Sequence, residues 1–262
     1  MLPTPSTSHV DFDRIYEPAE DSYLLLDTLS SESEKTFLKE RFCTGPVTRT
    51  ASPLVVEIGT GSGVVLSFAH AHAELIFGRN DVFTAGVDVN RYACTATEQT
   101  VIVAEKEQQE QKKSHGHYLG NVVGDLTSPL KPGIVDVLIF NPPYVPTEDL
   151  PTLPANSETT AKPTYEDDSH LLSLSYAGGM DGMETTDRLL NLLPEILSKD
   201  RGCAYILLCA QNKPIEVKQR IKDLGTEWMV ETVGSSGKKA GWEKLQIIRI
   251  WRLPVSNEEQ LP

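Results

Sequence analysis

Short apolar segments alternate with segments of helical periodicity along most of this chain, and this alternation constrains its fold more than any other feature. The predicted strands are Leu54–Gly59, Phe83–Val89, Asn121–Asp125, Val135–Asn141, Cys203–Ala210, Trp228–Val233 and Leu245–Leu253. The predicted helices are Pro18–Leu29 (with a more charged extension through Phe42), Val64–Phe77, Tyr92–Lys113, Leu189–Leu197 and Pro214–Leu224. Strands separated by helices form βαβ units, so the chain predicts an α/β fold with a mostly parallel sheet covered on both faces.

The 262 residues suffice for one domain with a substantial core, and no convincing linker divides them. We expect this domain over residues 14–254, with a flexible tail over 1–13 and a second tail over 255–262. The segment 146–175 is rich in proline and acidic residues and predicts a long acidic loop. The last two predicted strands have no helix between them, so they predict a hairpin closed by the loop Gly234–Gly241.

Composition narrows the range of partners. The formal net charge is −13, which repels phosphate backbones, so we expect no direct nucleic-acid partner. The four cysteines form no C-x-x-C pair, and we expect no metal site in this chain. The chain shows no signal segment and no apolar run of membrane-spanning length, so we expect no membrane association. These features predict a reducing compartment, so we expect the protein in the cytoplasm, and the nucleus is also compatible.

Glycines follow the first predicted strand, in the segment Glu57–Gly63 that opens a helix. Glycine lets the backbone approach a ligand closely, and the free N–H groups of a helix N-terminus bind polar or anionic groups. A dinucleotide-binding turn would have its third glycine at position 64, where this chain has Val64. The segment is typical of a ligand-binding turn and equally of a plain strand–helix turn, but it disfavours a nicotinamide oxidoreductase.

Aspartates follow the second and third predicted strands. Asp88 is placed where a carboxylate can accept both hydroxyl hydrogens of a ribose, and Asp125, with Leu126 after it, where a side chain can reach an adenine edge. Each alone is also typical of a turn aspartate, and Asp88 of a helix N-cap. Because parallel strands end at the same edge of a sheet, the positions together predict an adenosine site.

The fourth predicted strand ends in Asn141-Pro142-Pro143-Tyr144, which is the sharpest signal in the chain. An amide or exocyclic amine is a poor nucleophile, because its lone pair is delocalised. Hydrogen-bond acceptors such as the Asn141 side-chain oxygen and the Pro142 carbonyl can hold its N–H groups and orient its nitrogen. Tyr144 offers a face on which a planar group packs. The alternative is a strand followed by an ordinary Pro-Pro turn.

With these motifs the chain resembles the S-adenosylmethionine-dependent methyltransferases that carry N-P-P-Y, and more narrowly the HemK-like protein glutamine methyltransferases in their eukaryotic release-factor branch. The matching pieces are Tyr16–Ser22, Glu57–Gly63, Asp88–Asn90, Asp125–Leu126, Asn141–Val145 and Ala177–Gly179. The first piece, Y-E-P-A-E-D-S, discriminates best, because many methyltransferases share the glycine turn. The resemblance implies a class I, Rossmann-like, seven-stranded sheet with a reversed C-terminal strand.

The resemblance also implies a role for each matching residue. Ser22 would line the cofactor site, and Glu57, Gly59, Gly61 and Gly63 would hold the methionine and sugar parts of S-adenosylmethionine. Asp88 would bind the ribose hydroxyls, and Asp125 with Leu126 the adenine. Asn141 would bind the substrate amide and adjoin the cofactor, and Pro142, Pro143 and Tyr144 would shape that catalytic pocket.

The implied activity is N5-methylation of the glutamine in the Gly-Gly-Gln loop of a class-1 translation release factor. The implied partner is a small zinc-binding activator subunit, which would form a heterodimer by pairing with the third strand, Asn121–Asp125. Val122 and Val123 would suit such strand addition.

Other functions remain open at this point. A protein lysine, as in a histone-like tail, would suit the acidic segment 146–175, although N-P-P-Y provides no base to deprotonate a lysine. Adenine of nucleic acid is also methylated by N-P-P-Y enzymes, but the net charge disfavours it. A non-catalytic scaffold is the least favoured alternative, because the acceptor and cofactor motifs are intact.

Overall fold

The computed structural model describes residues 2–44, 51–152, 165–237 and 244–253. Its strands are β1 (Leu54–Ile58), β2 (Phe83–Asp88), β3 (His117–Val123), β4 (Val137–Phe140), β5 (Cys203–Leu208), β6 (Trp228–Ser235) and β7 (Gln246–Arg252). Its α-helices are α1 (Glu20–Leu29), α2 (Glu32–Cys43), α3 (Val64–Ala71), α4 (Ala73–Phe77), α5 (Arg91–Glu110), α6 (Tyr165–Tyr176), α7 (Glu184–Ile196) and α8 (Pro214–Lys222). Short 3₁₀ turns lie at Met180–Gly182 and Ala210–Asn212.

The strands form a seven-stranded sheet in the order β3-β2-β1-β4-β5-β7-β6. The pairings from β3 across to β5 are parallel, whereas β7 runs antiparallel to both of its neighbours. The predicted fold class, the parallel sheet and the C-terminal hairpin are therefore confirmed. The strand order reverses at β1, which lies between β2 and β4, and such a reversal opens a crevice at the carboxyl ends of the strands.

Helices cover both faces of the sheet. On one face, side chains of α1 to α4 pack with Tyr205 of β5 in a cluster that includes Leu25, Phe42, Phe68 and Phe77. On the other face, side chains of α7 and α8 pack against the central strands, as Leu189, Leu193 and Val217 do. Central strands buried on both faces explain the continuous apolar runs in the sequence.

The boundaries of three predicted helices differ clearly from the structure. The helix predicted to begin at Leu189 begins five residues earlier, at Glu184. The helix predicted over Val64–Phe77 is interrupted at His72, whose ψ of 23° leaves the helical range and whose Nε2 is hydrogen-bonded to the Pro3 carbonyl at 2.8 Å. The predicted extension of α1 is a separate helix, because Ser31 adopts an extended conformation and accepts a hydrogen bond from the Glu34 N–H.

Part of the acidic segment is helical, so the loop predicted over 146–175 is wrong for residues 165–175. The helix α6 occupies Tyr165–Tyr176. Acidic residues in its first turn favour a helix N-terminus, and this is the same charge that suggested a loop. Residues 153–164 lie outside the described part of the chain.

The edge strand β3 begins four residues earlier than the predicted Asn121 and ends at Val123, so Asp125 follows the strand. Most of its residues are exposed, so no continuous apolar run marks its first half.

The segment 2–13, predicted as a flexible tail, lies against the domain, where the His9 side chain is hydrogen-bonded to Thr100 Oγ1 at 3.1 Å. The tail predicted over 255–262 lies outside the described residues, and no helix within them is both long and apolar enough to cross a membrane.

Candidate active site

A cleft opens at the carboxyl ends of β1, β2 and β4, at the point where the strand order reverses. Most of the predicted site residues line it: Ser22, Glu57, Gly59, Gly61, Asp88, Asp125, Leu126, Asn141 and Pro143. Gly63, Pro142 and Tyr144 do not line the cleft; they lie next to residues that do. The sequence therefore predicts the location of the cleft and part of its wall.

The glycine turn after β1 adopts a backbone that side chains disfavour. Gly59, Gly61 and Gly63 all have positive φ angles, of 68°, 51° and 78°. Gly63 caps α3, and a Cβ there would lie 2.5 Å from the Cα of Thr97 in α5. The role of Gly63 in the structure is therefore the close packing of two helices, whereas Gly59 and Gly61 face the cleft.

The Asp88 carboxylate is buried and accepts two backbone hydrogen bonds. Oδ2 accepts from the Gly61 N–H at 3.0 Å, and Oδ1 accepts from the Asn90 N–H at 2.8 Å. Burial raises the pKa of Asp88, and the backbone hydrogen bonds oppose that shift. The N-cap of α5 is Asn90, whose side chain accepts from the Tyr92 N–H, so the helix-cap interpretation of Asp88 is excluded.

Glu57 is also buried, at 2% exposure, at the end of β1. Its Oε2 accepts a hydrogen bond from the Leu66 N–H at 2.8 Å, in the first turn of α3. Burial raises the pKa of Glu57 well above its usual range, and the negative charge of nearby Asp88 adds to that effect. One carboxyl oxygen of Glu57 thus holds the helix in place while the residue borders the cleft.

Asp125 and Leu126 form the adjoining wall in a tight turn. Leu126 is buried and has a φ of 50°, an unusual conformation for a branched side chain. Asp125 Oδ2 accepts a hydrogen bond from Arg188 of α7, and this ion pair is partly exposed. The sequence did not indicate the arginine, because it comes from a helix that is 63 residues away in the chain.

Asn141 follows β4 and faces the cleft with an unsatisfied acceptor. Its Oδ1 is buried and has no hydrogen-bond partner among the described residues. A buried carbonyl oxygen without a partner is costly in a folded protein, and such atoms are frequent where a ligand supplies the missing donor. Pro142, the next residue, is buried and has no N–H group that could donate a hydrogen bond to the Asn141 oxygen.

Tyr144 is held from two directions, by Asp21 of the Y-E-P-A-E-D-S segment and by Asn212, which the sequence does not single out. Its hydroxyl lies 3.5 Å from the Oδ2 of Asp21, a buried residue in the first turn of α1. Its carbonyl accepts a hydrogen bond from Asn212 Nδ2 at 3.2 Å. The first contact joins the Y-E-P-A-E-D-S segment to the N-P-P-Y segment.

Asn212 is buried to 1% exposure and connects several backbone segments. Its Nδ2 also lies 2.9 Å from the Asp181 carbonyl, and its Oδ1 accepts from the Cys209 N–H at 2.7 Å. It therefore fixes the N-P-P-Y segment to the turn at Met180–Gly182 and to the end of β5.

The cleft has two further walls that sequence analysis missed. Arg14 lines it and donates from Nε to Asp168 Oδ1 of α6 at 2.7 Å, so the N-terminal segment reaches the helix in the acidic segment. Leu171 and Leu174 of the same helix also line the cleft. These two leucines are three residues apart, and this helical spacing is the feature of the sequence that could have indicated the helix.

We expect Asn212→Ala to lower the free energy of unfolding by about 2 kcal/mol or more, because it removes the buried Asn212 hydrogen bonds to the Tyr144 carbonyl, the Asp181 carbonyl and the Cys209 N–H. Denaturant unfolding followed by circular dichroism measures the change. Gln211→Ala, at the exposed neighbouring position, is the matched control. Equal midpoints for the two variants would contradict this account of the Tyr144 anchor.

Comparison with known proteins places this geometry in a family. No protein-family model matches the chain. It is 34% identical over 257 residues to the eRF1 methyltransferase catalytic subunit mtq2 of Schizosaccharomyces pombe, covering 97% of each chain. It is 30% identical to methyltransferase HEMK2 of Mus musculus, covering 95% of this chain and 96% of that protein. A ribosomal protein uL3 glutamine methyltransferase of Bradyrhizobium diazoefficiens is 29% identical over 72% of this chain and half of that protein.

The resemblance carried by the N-P-P-Y and Y-E-P-A-E-D-S segments is confirmed by these relatives, which match the chain along nearly all of its length. The chain belongs to the HemK-like protein N5-glutamine methyltransferases.

Proposed function

We propose that this chain transfers a methyl group from S-adenosylmethionine to the side-chain nitrogen of the glutamine in the Gly-Gly-Gln loop of a eukaryotic class-1 release factor. The observation that carries the proposal is the buried, unpartnered Oδ1 of Asn141 at the cleft. The printed name of the S. pombe relative, an eRF1 methyltransferase, supports this substrate. Because release factors act in translation, the proposed location is the cytoplasm, with the nucleus as the alternative.

The Asn141 oxygen suits a primary amide as the acceptor of the methyl group. An amide nitrogen donates hydrogen bonds through its N–H groups and is a weak nucleophile. Asn141 Oδ1 and the Pro142 carbonyl would accept those hydrogen bonds and hold the nitrogen in line with the methyl group. No strong base is required, because an N-methylated amide cation loses its proton readily.

Tyr144 adjoins the cleft without lining it, so we assign it to holding the segment that carries Asn141 rather than to direct contact with the amide. Its position depends on Asp21 at the hydroxyl and on Asn212 at the carbonyl. Both partners are buried, so the tyrosine backbone has little freedom to move. Fixed geometry of this kind is the main source of acceleration for a reaction that needs in-line attack.

The residues at the cleft fit S-adenosylmethionine. The Asp88 carboxylate borders the cleft, where its oxygens can accept hydrogen bonds from the two hydroxyls of a ribose. Leu126 and Asp125 would border the adenine, and Ser22, Glu57, Gly59 and Gly61 the methionine side. When bound, the cofactor supplies an electrophilic methyl group. We assign Gly63 to the support of this site rather than to direct contact.

Two alternative acceptors make different demands on the site. A lysine must lose its proton before it attacks, and the acceptors Asn141 and Pro142 cannot remove that proton. An adenine amine would present similar N–H groups, but the nucleic acid around it would meet a chain with a net charge of −13. Glutamine in a protein therefore agrees best with both the pocket and the charge.

Asn141→Ala is expected to lower the rate of methyl transfer to the release factor on the order of 100-fold or more, because the amide loses the acceptor that orients it. Cofactor affinity should change little. Single-turnover transfer of labelled methyl and calorimetric titration of S-adenosylmethionine measure the two quantities. The control is Asn191→Ala, on the exposed side of α7. Full activity of Asn141→Ala would remove this residue from the mechanism.

Asp88→Asn is expected to weaken cofactor binding roughly tenfold to a hundredfold, since hydrogen bonds to a charged group contribute about 1.5–3 kcal/mol. The asparagine has the same size but only one acceptor oxygen for the N–H groups of Gly61 and Asn90, so the melting temperature of the variant is measured as well, to show that it is folded under the conditions of the titration. Asp149→Asn, at an exposed position, is the control. Calorimetric titration at constant pH gives the dissociation constants, and unchanged affinity in Asp88→Asn would refute the ribose assignment.

We also propose that the chain functions as the catalytic subunit of a heterodimer with a small zinc-binding activator. The S. pombe relative carries the name catalytic subunit. In the described part of the chain, β3 pairs with β2 on one side alone, and its outer edge is open. Val122 and Val123 of β3 are 48% and 50% exposed. An open edge with exposed valines suits the addition of a strand from a partner.

A charge on this edge should therefore disrupt the heterodimer. Val122→Glu is expected to weaken activator binding at least tenfold, because strand addition would bury the new carboxylate. Leu224→Glu, an exposed leucine before β6 at the opposite end of the sheet, serves as the control. Isothermal titration with the purified activator measures both. Equal affinity for the two variants would place the partner elsewhere.

A further inference from the structure

One group of possible metal ligands lies outside the cleft in the described residues. It consists of His70 in α3, Glu105 in α5 and His115 in the segment that leads into β3. Each residue offers one ligand atom, and the three atoms lie within 4.8 Å of one another. None of the three lines the cleft, so the group is separate from the methyl-transfer site.

The His70 ring is fully buried and held in a fixed orientation. Its Nδ1 is hydrogen-bonded to the Oγ1 of Thr84, itself fully buried in β2, at 2.9 Å. Its Nε2 faces the Glu105 carboxylate at 3.0 Å. A second-shell hydrogen bond on one ring nitrogen is the arrangement that directs the other nitrogen of a histidine towards a metal.

The other two residues are only partly covered. The side chains of Glu105 and His115 are 28% and 25% exposed, so solvent reaches the group from one side. Glu105 Oε1 lies 3.8 Å from His115 Nδ1, which also lies 2.9 Å from the Gly116 carbonyl. The two histidine rings are 5.3 Å apart between centroids. Glu105 therefore stands between two imidazoles, with an open side for water ligands.

We propose that His70, Glu105 and His115 bind a divalent cation of the zinc class. Two imidazole nitrogens and one carboxylate oxygen form a ligand set that zinc uses, with the remaining position filled by water. Calcium and magnesium prefer oxygen ligands alone, so this set disfavours them. The proposal adds a site where the cysteine pattern of the sequence predicts none.

The surroundings of His70 agree with this ligand set. The ring is fully buried against the Thr84 hydroxyl, and such an environment favours neutral imidazole. Neutral imidazole is the form that coordinates metals. The Thr84 hydroxyl can accept from Nδ1 or donate to it, so it supports the ring both when Nε2 binds a cation and when Nε2 donates to Glu105.

Binding requires a small contraction of the group. In a tetrahedral zinc site with bonds of about 2.0–2.1 Å, neighbouring ligand atoms lie about 3.3 Å apart. The Glu105–His70 distance of 3.0 Å is already near that value. The side chains of Glu105 and His115 are partly exposed, so they would make the adjustment while His70 remains in place. His115 would also give up the contact of its Nδ1 with the Gly116 carbonyl, or coordinate through Nε2 after its ring turns.

A cation at this position would join α3, α5 and the start of β3. The backbone already connects two of these elements, since the Gly116 N–H donates to the His70 carbonyl at 2.9 Å. The bound cation would add a link to α5 and so stabilise the edge strand. We therefore expect zinc to raise the melting temperature of the chain.

The test measures zinc bound per chain by equilibrium dialysis and elemental analysis, on the full-length protein and on variants prepared identically. Glu105→Gln removes the charged ligand at equal size, and His115→Ala removes a partly exposed ring. His117→Ala, at an exposed histidine two residues away, is the matched control. Any zinc carried by a partner subunit is present in every sample and cancels in the difference between wild type and variant.

The wild type and His117→Ala should each bind one zinc per chain. The affinity of Glu105→Gln and of His115→Ala for this zinc should be at least tenfold lower. Cobalt should give visible absorption bands of a low-symmetry site in the wild type and in His117→Ala alone, and zinc should raise the melting temperature of those two proteins. If wild type and Glu105→Gln bind zinc equally, or if neither binds it, the proposed site is wrong. Glu105→Gln retains a hydrogen-bond acceptor for His70, so this comparison stands even if His115→Ala does not fold.

Discussion

The Asp88 carboxylate is the group on which the organisation of the cleft depends. It accepts hydrogen bonds from the N–H groups of Gly61 and Asn90, and so it joins the turn after β1 to the turn after β2. Asn90 in turn caps α5 and donates from Nδ2 to the Arg14 carbonyl at 2.9 Å. Two strand ends, a helix and the N-terminal segment are therefore positioned around one buried carboxylate. The same carboxylate borders the cleft, which links the folding of these turns to cofactor binding.

The substrate side of the cleft is built on a different principle. Here the backbone after β4 contains two prolines, so it donates few hydrogen bonds of its own. Its position comes from side chains elsewhere in the chain, chiefly Asp21 at the Tyr144 hydroxyl and Asn212 at the Tyr144 carbonyl. This arrangement fixes Tyr144 near Asn141, whereas the Asn141 side-chain oxygen at the cleft has no hydrogen-bond partner among the described residues. An acceptor kept in place in this way is suited to orienting an amide that cannot orient itself.

Sequence reasoning located the parts of the site that depend on local chemistry. Glycines with positive φ, an aspartate at a strand end and an asparagine before two prolines each have a physical requirement that appears in the sequence itself. The sequence does not predict the roles of Asn212 and Arg188, because these roles arise from contacts with Tyr144 and Asp125, which lie 68 and 63 positions away in the chain. Gly63 was recognised as part of the turn, but its packing against Thr97 depends on the approach of two helices.

The errors in the fold have similar causes. The first half of β3 has no apolar run, because the strand lies at the edge of the sheet and is mostly exposed. The sequence predicts a loop where α6 lies, because the acidic residues and prolines of the segment 146–175 outweigh the helical spacing of Leu171 and Leu174. The sequence does not predict the group formed by His70, Glu105 and His115. These residues are 35 and 10 positions apart, and only the packing of α3, α5 and the start of β3 brings them together.

The most direct test of the account is the identity of the methylated atom. The chain, prepared with the activator subunit and S-adenosylmethionine, would be incubated separately with a class-1 release factor, a histone, DNA and transfer RNA. Tandem mass spectrometry would then locate the added methyl. The account predicts one methyl on the side-chain nitrogen of the Gly-Gly-Gln glutamine and none on the other acceptors. Methylation of lysine or adenine with an unmodified release factor would contradict it.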